Sequence, residues 1–535
     1  MLQSLETSSP DHPLRSDVVV VGAGLAGLVM AKALLDLGLR VIVLESGGVQ
    51  AIEGHHPLNS VEQLAQVYEG ASAGRTRGLG GTSTRWGGAL LPFLDNDFEN
   101  HPCGWHAGWG VGQSDLVDHL EPIERDFGVG QGSYSEASCE RSLTSFVARS
   151  PKWPEFAQRS TANIYRDEIV NHPNLQIWTN ATLTSIRLKG GSVSGVEAQS
   201  VGGNRLTTNS PFVSLAAGAI ETTRLLLLLN LQYDGRIFPK DCPLGKGFHD
   251  HLSAPIARLE TTKPAELTRV FGFRFVKGGM RNLRFELAAE PRAKEKLPAA
   301  FAHVAFTRPE KSGFEALRRV YQSLQLGTRP VGADFLGIAR DLPWLMRAGW
   351  WRLIENRVLP PKHATFELHL VTEQRPHPEN RIALSNKQFD PFGLPLASID
   401  WRVRNEDITH FHQIAEKIIN EWSSGALAKL ATPCALPADE IDRDLSGCGG
   451  IYHPAGTTPI AKAPGGGVVD KRLRVHGVTG LWAVATSCFP SVGGTSPSLA
   501  LMQFARRAAM DIADNAGQGG GAVHSWENEK GTSTA

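Results

Sequence analysis

The chain has 535 residues, with 54 basic and 54 acidic side chains and 41% hydrophobic residues. That length exceeds one ordinary core and predicts two domains or one large composite. The equal charges exclude a global field that would draw in nucleic acid or a membrane. Six scattered cysteines without a CxxC pair fit a reduced compartment and indicate neither a zinc site nor a disulfide framework.

No apolar run is long enough to span a bilayer. The first residues carry Glu6 and Asp11 and no apolar core, unlike a signal peptide, so the expected location is cytoplasmic.

Residues 17–21 are a β-branched run, the pattern of a strand buried on both faces. Gly22, Ala23, Gly24, Ala26 and Gly27 follow at GxGxxG spacing, opening an apolar helix over 28–37. Gly22 permits the tight turn, Gly24 lets the backbone approach a pyrophosphate, and Gly27 lets helix and strand pack closely. A second apolar strand, 40–44, ends in Glu45 and Ser46, eighteen residues after the last glycine. A carboxylate there is placed to accept from ribose hydroxyls, so a dinucleotide is expected. His55 and His56 are adjacent and read as surface residues.

Residues 78–88 hold five glycines, including Gly80, Gly81, Gly87 and Gly88, around Thr82, Ser83, Thr84, Arg85 and Trp86. Such density is ruinous in a helix and predicts close approach to a flat or charged group, with hydroxyls reaching phosphate or a ring edge. Trp105 and Trp109 precede a helix-like stretch over 116–127, and a strand and turn region lies around 175–188. Residues 212–230 read as another buried strand, a turn at Ala217 and Gly218, and a helix with Glu221 in its first turn.

From 365 to 403 apolar residues alternate with polar ones, predicting half-buried antiparallel strands. Ile408, Phe411, Ile414, Ile418 and Trp422 then recur at helical spacing. The block 448–513 returns to glycine-rich turns and ends in a helix over 497–513. Residues 516–535 read as a disordered tail.

The segments 18–45, 78–88, 214–230, 245–251, 373–384 and 452–513 together resemble the glucose-methanol-choline family of FAD-dependent oxidoreductases. The 78–88 loop is nearest in motif to pyranose-oxidase-like members. The implied fold is α/β: a Rossmann-type FAD-binding domain with an interleaved α+β substrate domain built on an antiparallel sheet. Residues 16–255 would form the first part of the FAD domain and 256–445 mainly the substrate domain, with an insertion at 300–362. Residues 446–513 would return to the FAD domain with the catalytic segments. The implied cofactor is FAD, held by the glycines and hydroxyls named above and by Pro497 and Ser498. Arg85 stands where some members carry a flavin-linking histidine, so the FAD is expected to be non-covalent.

His453, in the segment 452–457, resembles the family's catalytic histidine and suits proton abstraction near neutral pH. The family's second catalytic position, a His or Asn before a proline, is Ser496 here, forty-three residues on. Ser496 and Pro497 also read as an N-cap and first helical residue. His249, Asp250 and His251 look like a metal set, but the resemblance favours a structural or flavin-side role and no metal. Glu373 and Glu379 read as solvent or turn acids.

The implied activity is oxidation of an alcohol group on a small polyhydroxylated substrate such as a sugar, glycoside or polyol. Oxygen, a quinone or another carrier would accept the electrons, and a homo-oligomer is possible. A non-redox flavin-dependent lyase is the alternative. The stretch 334–363, with Trp344, Trp350, Trp351 and five basic residues, reads as a lid or contact in preference to a membrane-surface helix.

Overall fold

The structure, a computed structural model, describes residues 1–50, 56–99, 108–136, 139, 143–307, 312–325, 329–447 and 450–518. His55, Trp105 and most of the tail expected from 516 lie outside the described residues.

Six parallel strands form the nucleotide-side sheet, in the order Leu2–Ser4, Leu175–Thr179, Val41–Leu44, Val18–Val21, Phe212–Leu215 and Leu481–Ala483. Val18–Val21 and Val41–Leu44 are buried at every residue, as strands covered on both faces must be. The helix after the glycine turn is Leu25–Asp36, one turn earlier than its apolar run suggests. A Cβ on Gly27 would lie 1.8 Å from the Gly22 carbonyl oxygen, so only glycine lets this helix meet its strand. The C-terminal helix Ser498–Gln518 packs against it and runs five residues past the expected end at 513.

The substrate layer is a six-stranded antiparallel sheet. Its order is Thr432–Ala435, His251–Glu260, Phe366–Glu373, Ala300–Phe306, Arg284–Leu287 and Phe146–Arg149. Its edge strand therefore comes from within 16–255, and Ala300–Phe306 is a central strand of the sheet, not part of the insertion. The helix Asn405–Ser424 buries Phe411, Ile414, Ile418 and Trp422 in the same core as Leu252, Phe285, Ala302, Leu368 and Leu370. Because successive strand residues face opposite ways, His251, Ser253, Arg284, Phe301, His303, His369 and Val371 share the other face. That face looks back toward the nucleotide sheet and forms the floor of the site.

Candidate active site

A cavity of about 1130 Å³ runs from the GxGxxG turn to the floor of the substrate sheet. It exceeds the roughly 300–1,000 Å³ of a drug-sized ligand site. Gly22, Gly24, Ala26, Glu45 and Ser46 line one end, and Gly81, Thr82, Ser83, Trp86, Gly87 and Gly88 line its flank. Ala217, Gly218, Glu221, Ser496, Pro497, Ser498 and His453 also border it, whereas Ala23, Gly27, Gly80 and Thr84 stand behind the wall.

The cradle suits a dinucleotide. Gly81, at φ +53°, approaches so closely that a Cβ there would lie 2.8 Å from Gly24 Cα. The Leu25–Asp36 helix starts at Gly24 with no side-chain cap on its free N–H groups, which is how a helix receives a phosphate. Some groups that seemed placed for the cofactor have other partners. Glu45 Oε2 accepts from Ala23 N at 2.9 Å, and its Oε1 accepts from Gly47 N and Gly78 N at 2.8 and 3.0 Å. It therefore staples the three glycine-bearing loops together while bordering the cavity. Ser83 Oγ donates to Gly80 O at 2.6 Å, and Thr84 Oγ1 donates to Gly81 O at 2.8 Å, so both hydroxyls hold the loop in shape. Glu221 accepts from Arg77 and Arg224 at 2.7 and 2.8 Å. Burial raises its carboxyl, but Arg224, Arg77 and Arg75 outweigh burial and bring it to about 2.

At the substrate end, the segment 249–251 meets the segment around His453. Asp250 Oδ1 accepts from the backbone N–H groups of His251 and His453 at 2.6 and 2.8 Å. Its Oδ2 accepts from the Tyr68 hydroxyl at 2.5 Å. Burial pushes this carboxyl up to about 7. Tyr452, the residue before His453, sits at φ +68°, a conformation that costs a side-chain-bearing residue about 1–3 kcal/mol.

His251 Nδ1 lies 3.0 Å from His453 Nδ1, and His251 Nε2 lies 2.7 Å from the Gly493 carbonyl oxygen. Burial holds both rings neutral: His251 falls to about 4, and His453 lies well below its ordinary value through burial, the neighbouring His251 ring and the charge of Arg284. A carbonyl oxygen only accepts, so His251 carries its proton on Nε2. Its Nδ1 is then an acceptor, and His453 must donate from Nδ1. The consequence is a free lone pair on His453 Nε2 in the half-buried wall of the cavity.

Asp250, His251 and His453 place three ligand-type atoms within 4.8 Å of one another. Both Asp250 oxygens and both His251 nitrogens are already hydrogen-bonded, so the cluster is built as a hydrogen-bonded chain.

Ser496 Oγ lies 3.2 Å from Ser498 Oγ. The helix begins at Ser498, and Pro497 O accepts its first bond from Leu501 N at 2.9 Å, so Pro497 occupies the cap position assigned to Ser496 by sequence. Glu373 also differs from expectation. It is 2% exposed, and its Oε1 accepts from Val492 N at 2.8 Å and Gly493 N at 3.4 Å. Glu379 is a surface acid that accepts from Arg404 at 2.8 Å.

Arg284 is the main residue that sequence reasoning missed. It lies in the cavity wall, 5% exposed, with its guanidinium 4.4 Å above the Phe301 ring and Nη1 donating to Thr495 Oγ1 at 3.0 Å. No carboxylate among the described residues lies within ion-pair distance of it, because Glu286 is taken by Arg149 at 2.6 Å. Cross-strand pairing lines up Arg149, Arg284, His303 and His369 across four adjacent strands. The alternation of Arg284 and Glu286 was visible in the sequence, but the pairing of strands more than a hundred residues apart was not.

Comparison with known proteins agrees with this geometry. Two GMC oxidoreductase family models match residues 128–253 and 376–505. Paromamine 6'-oxidase of Streptomyces fradiae is 23% identical over 562 residues, covering 93% of this chain and 91% of that protein. An uncharacterised GMC-type oxidoreductase of Mycobacterium tuberculosis is 24% identical over 89% of this chain and 95% of its own length. Among solved structures, pyridoxine 4-oxidase from Mesorbium loti superposes with a TM-score of 0.58 at 16% identity, over 92% of this chain and 98% of that one. The glycine cradle, the histidine pair and these matches together show that the chain belongs to the GMC oxidoreductase family, whose members are FAD-binding flavoproteins.

Proposed function

We propose that the protein oxidises an alcohol group of a small molecule, with His453 as the base that takes the hydroxyl proton. The observation that carries this reading is the chain from Gly493 O through His251 to His453, which leaves a lone pair on His453 Nε2. FAD, held by the glycine cradle, supplies the hydride acceptor when bound. A base that is neutral at physiological pH and borders the cavity can accept a proton there. Arg284, with no carboxylate in ion-pair contact among the described residues, places a positive charge beside the same histidines, which lowers the energy of the alkoxide left on the substrate. Ser496, on the same cavity, supplies one further hydrogen bond to that oxygen.

The substrate part of the cavity is walled by Trp153, Phe271, Phe273, Phe306 and Phe314. These rings favour an alcohol with an apolar body over a sugar or polyol. Oxygen, a quinone or another carrier then takes the electrons. Paromamine 6'-oxidase and pyridoxine 4-oxidase, by their names, are oxidases, which supports the redox reading over a lyase.

The test is a panel of alcohols mixed anaerobically with the FAD-loaded protein while the flavin absorbance is followed. At least one alcohol should bleach the flavin. With that alcohol, His453→Gln should bleach at least about a hundredfold more slowly while retaining FAD. Bleaching at the parent rate in His453→Gln refutes the assignment.

A further inference from the structure

The insertion after strand Ala300–Phe306 folds into three helices, Gly313–Gln325, Gly332–Arg340 and Leu342–Trp350, followed by a wider turn over Trp351–Glu355. The helices pack on one another. Ten of the twenty-four exposed large apolar side chains among the described residues fall within residues 321–354. Singly exposed apolar residues are ordinary, but a cluster of this density is not.

The cluster follows the helix period. Leu342, Met346, Trp350 and Leu353 recur at i, i+4, i+8 and i+11, a single stripe. Met346 is 72% exposed and Leu353 76%. The opposite side of the same segment is also apolar, and it is the side that packs: Trp344 and Trp351 are buried, with Trp344 against Phe314. The inward face therefore accounts for folding and leaves the outward stripe uncovered.

Charge says what covers it. The four acids of the plate are all engaged. Glu315 accepts from Arg318, Asp334 from Arg319, Asp341 from Gly313 N and Glu355 from Arg269. Arg340 and Arg347 are exposed beside the stripe and have no ion-pair partner among the described residues. The plate thus presents apolar side chains flanked by uncompensated arginines, the composition of a helix lying in an anionic membrane interface. No helix among the described residues is long and apolar enough to cross a membrane, so the contact is with the surface. The chain's zero net charge is no obstacle, since the attraction is local and acts within a Debye length.

We propose that this plate seats the protein on an anionic bilayer, with the Leu342–Leu353 stripe in the acyl boundary and Arg340 and Arg347 at the headgroups. This reading departs from the lid or contact expected from sequence because the inward Trp344 and Trp351 leave the Leu342–Leu353 stripe exposed. The plate also reaches the active site: its Phe314 and Arg318, with Val358 and Pro360 just beyond its last turn, line the cavity that holds His453. Docking therefore brings the cavity wall to the membrane, where an apolar alcohol would be concentrated. The docking rests on exposure and charge, and stands or falls separately from the catalytic reading.

The experiment is flotation of the FAD-loaded full chain with vesicles of phosphatidylcholine alone and of phosphatidylcholine with about 30% phosphatidylglycerol, at low and physiological salt. The protein should float with the anionic vesicles, less so as salt rises. Met346→Glu with Leu353→Glu should cut the bound fraction at least about tenfold while FAD content and thermal midpoint stay at the parent values. Arg340→Glu with Arg347→Glu should raise the lipid concentration for half-binding about tenfold and flatten the salt dependence. Absence of flotation with either vesicle, or flotation unchanged by Met346→Glu with Leu353→Glu, overturns the proposal. So does a dimer in light scattering that the same pair of substitutions splits without any vesicle binding, which would assign the plate to a second copy of the chain.

Discussion

Replacing His251 separates the tautomer argument from every looser account of the site. His251 Nδ1 accepts the proton that His453 carries on Nδ1, across 3.0 Å, and Gly493 O fixes the other end at 2.7 Å. If His453 took the opposite tautomer, two ring lone pairs would face each other in a buried space. An unsatisfied buried group of this kind costs about 1–3 kcal/mol. At 1.36 kcal/mol per factor of ten, the bond biases His453 toward its reactive tautomer by roughly 5- to 150-fold. His251→Leu removes the acceptor and should slow anaerobic flavin bleaching by about that factor. His251→Asn keeps an oxygen close to the Nδ1 position, so it should recover to within about fivefold of the parent. A merely structural histidine would make no such distinction. FAD content and thermal midpoint must be measured beside the rates. Equal losses in the Leu and Asn variants, with both proteins folded and FAD-loaded, would refute the tautomer argument, as would no loss in either.

Three further outcomes follow from the same geometry. Arg284→Gln should lower the bleaching rate by about 10²–10³ with FAD retained, since a preorganised group is lost from the reacting oxygen, and a rate within about threefold of the parent would remove Arg284 from the mechanism. The histidines also set a pH signature: His251, lowered to about 4 by burial, stabilises the fold above pH 6.5, and that contribution of about 3 kcal/mol is lost as pH falls toward 4. Asp250, raised to about 7, works the other way, because its folded form takes up a proton first on acidification. With that opposing contribution removed, the thermal midpoint of Asp250→Asn should drop relative to the parent as pH is lowered from 7 to 4, whereas a drop equal to or smaller than the parent's would contradict the assignment. Finally, Arg85 borders the cavity and cannot bond covalently to a flavin, so acid precipitation should release all yellow colour into the supernatant, and a yellow pellet would show a covalent link.

The parts legible in the sequence were those fixed by local backbone demands. Gly22 at φ +105° and Gly81 at φ +53° hold conformations that other residues avoid, so the cofactor turns announce themselves as glycine spacing. Strand Phe366–Glu373 was legible through its alternation, and helix Asn405–Ser424 through Phe411, Ile414, Ile418 and Trp422. His453 was found through resemblance, because one histidine among eighteen carries no local mark of catalysis. What was not legible depends on register between distant segments. Arg284 acquires its meaning from His303 opposite it, from Phe301 beneath it and from Thr495, which is 211 residues away. The exposure of Leu353 and Met346 was equally hidden, since an apolar helical stripe reads the same whether it faces a core or a membrane.

Glu373 shows how far the control of one proton extends. From sequence it was a turn acid, yet it is buried and its carboxylate faces the backbone that presents Gly493 to His251. Behind it stands Arg292, 3.9 Å from Glu373 and 3.0 Å from Asp97, while Asp97 accepts from Gly494 N at 3.1 Å. The carbonyl that sets the tautomer is therefore held from both sides by one buried ionic group. Glu373→Gln keeps an oxygen for Val492 N and should leave the bleaching rate within about tenfold of the parent, at a stability cost of about 1–2 kcal/mol. Glu373→Leu leaves the Val492 N–H unpaired, leaves Gly493 N only the Ser491 hydroxyl at 3.3 Å, and leaves Arg292 with Asp97 alone as counter-charge, and should cost about 3–5 kcal/mol. Denaturant unfolding gives both costs, and flavin bleaching in the folded fraction gives the rates. If Glu373→Leu unfolds at the parent midpoint, the carboxylate does not hold the loop, and the orientation of Gly493 must come from the helix that begins at Ser498.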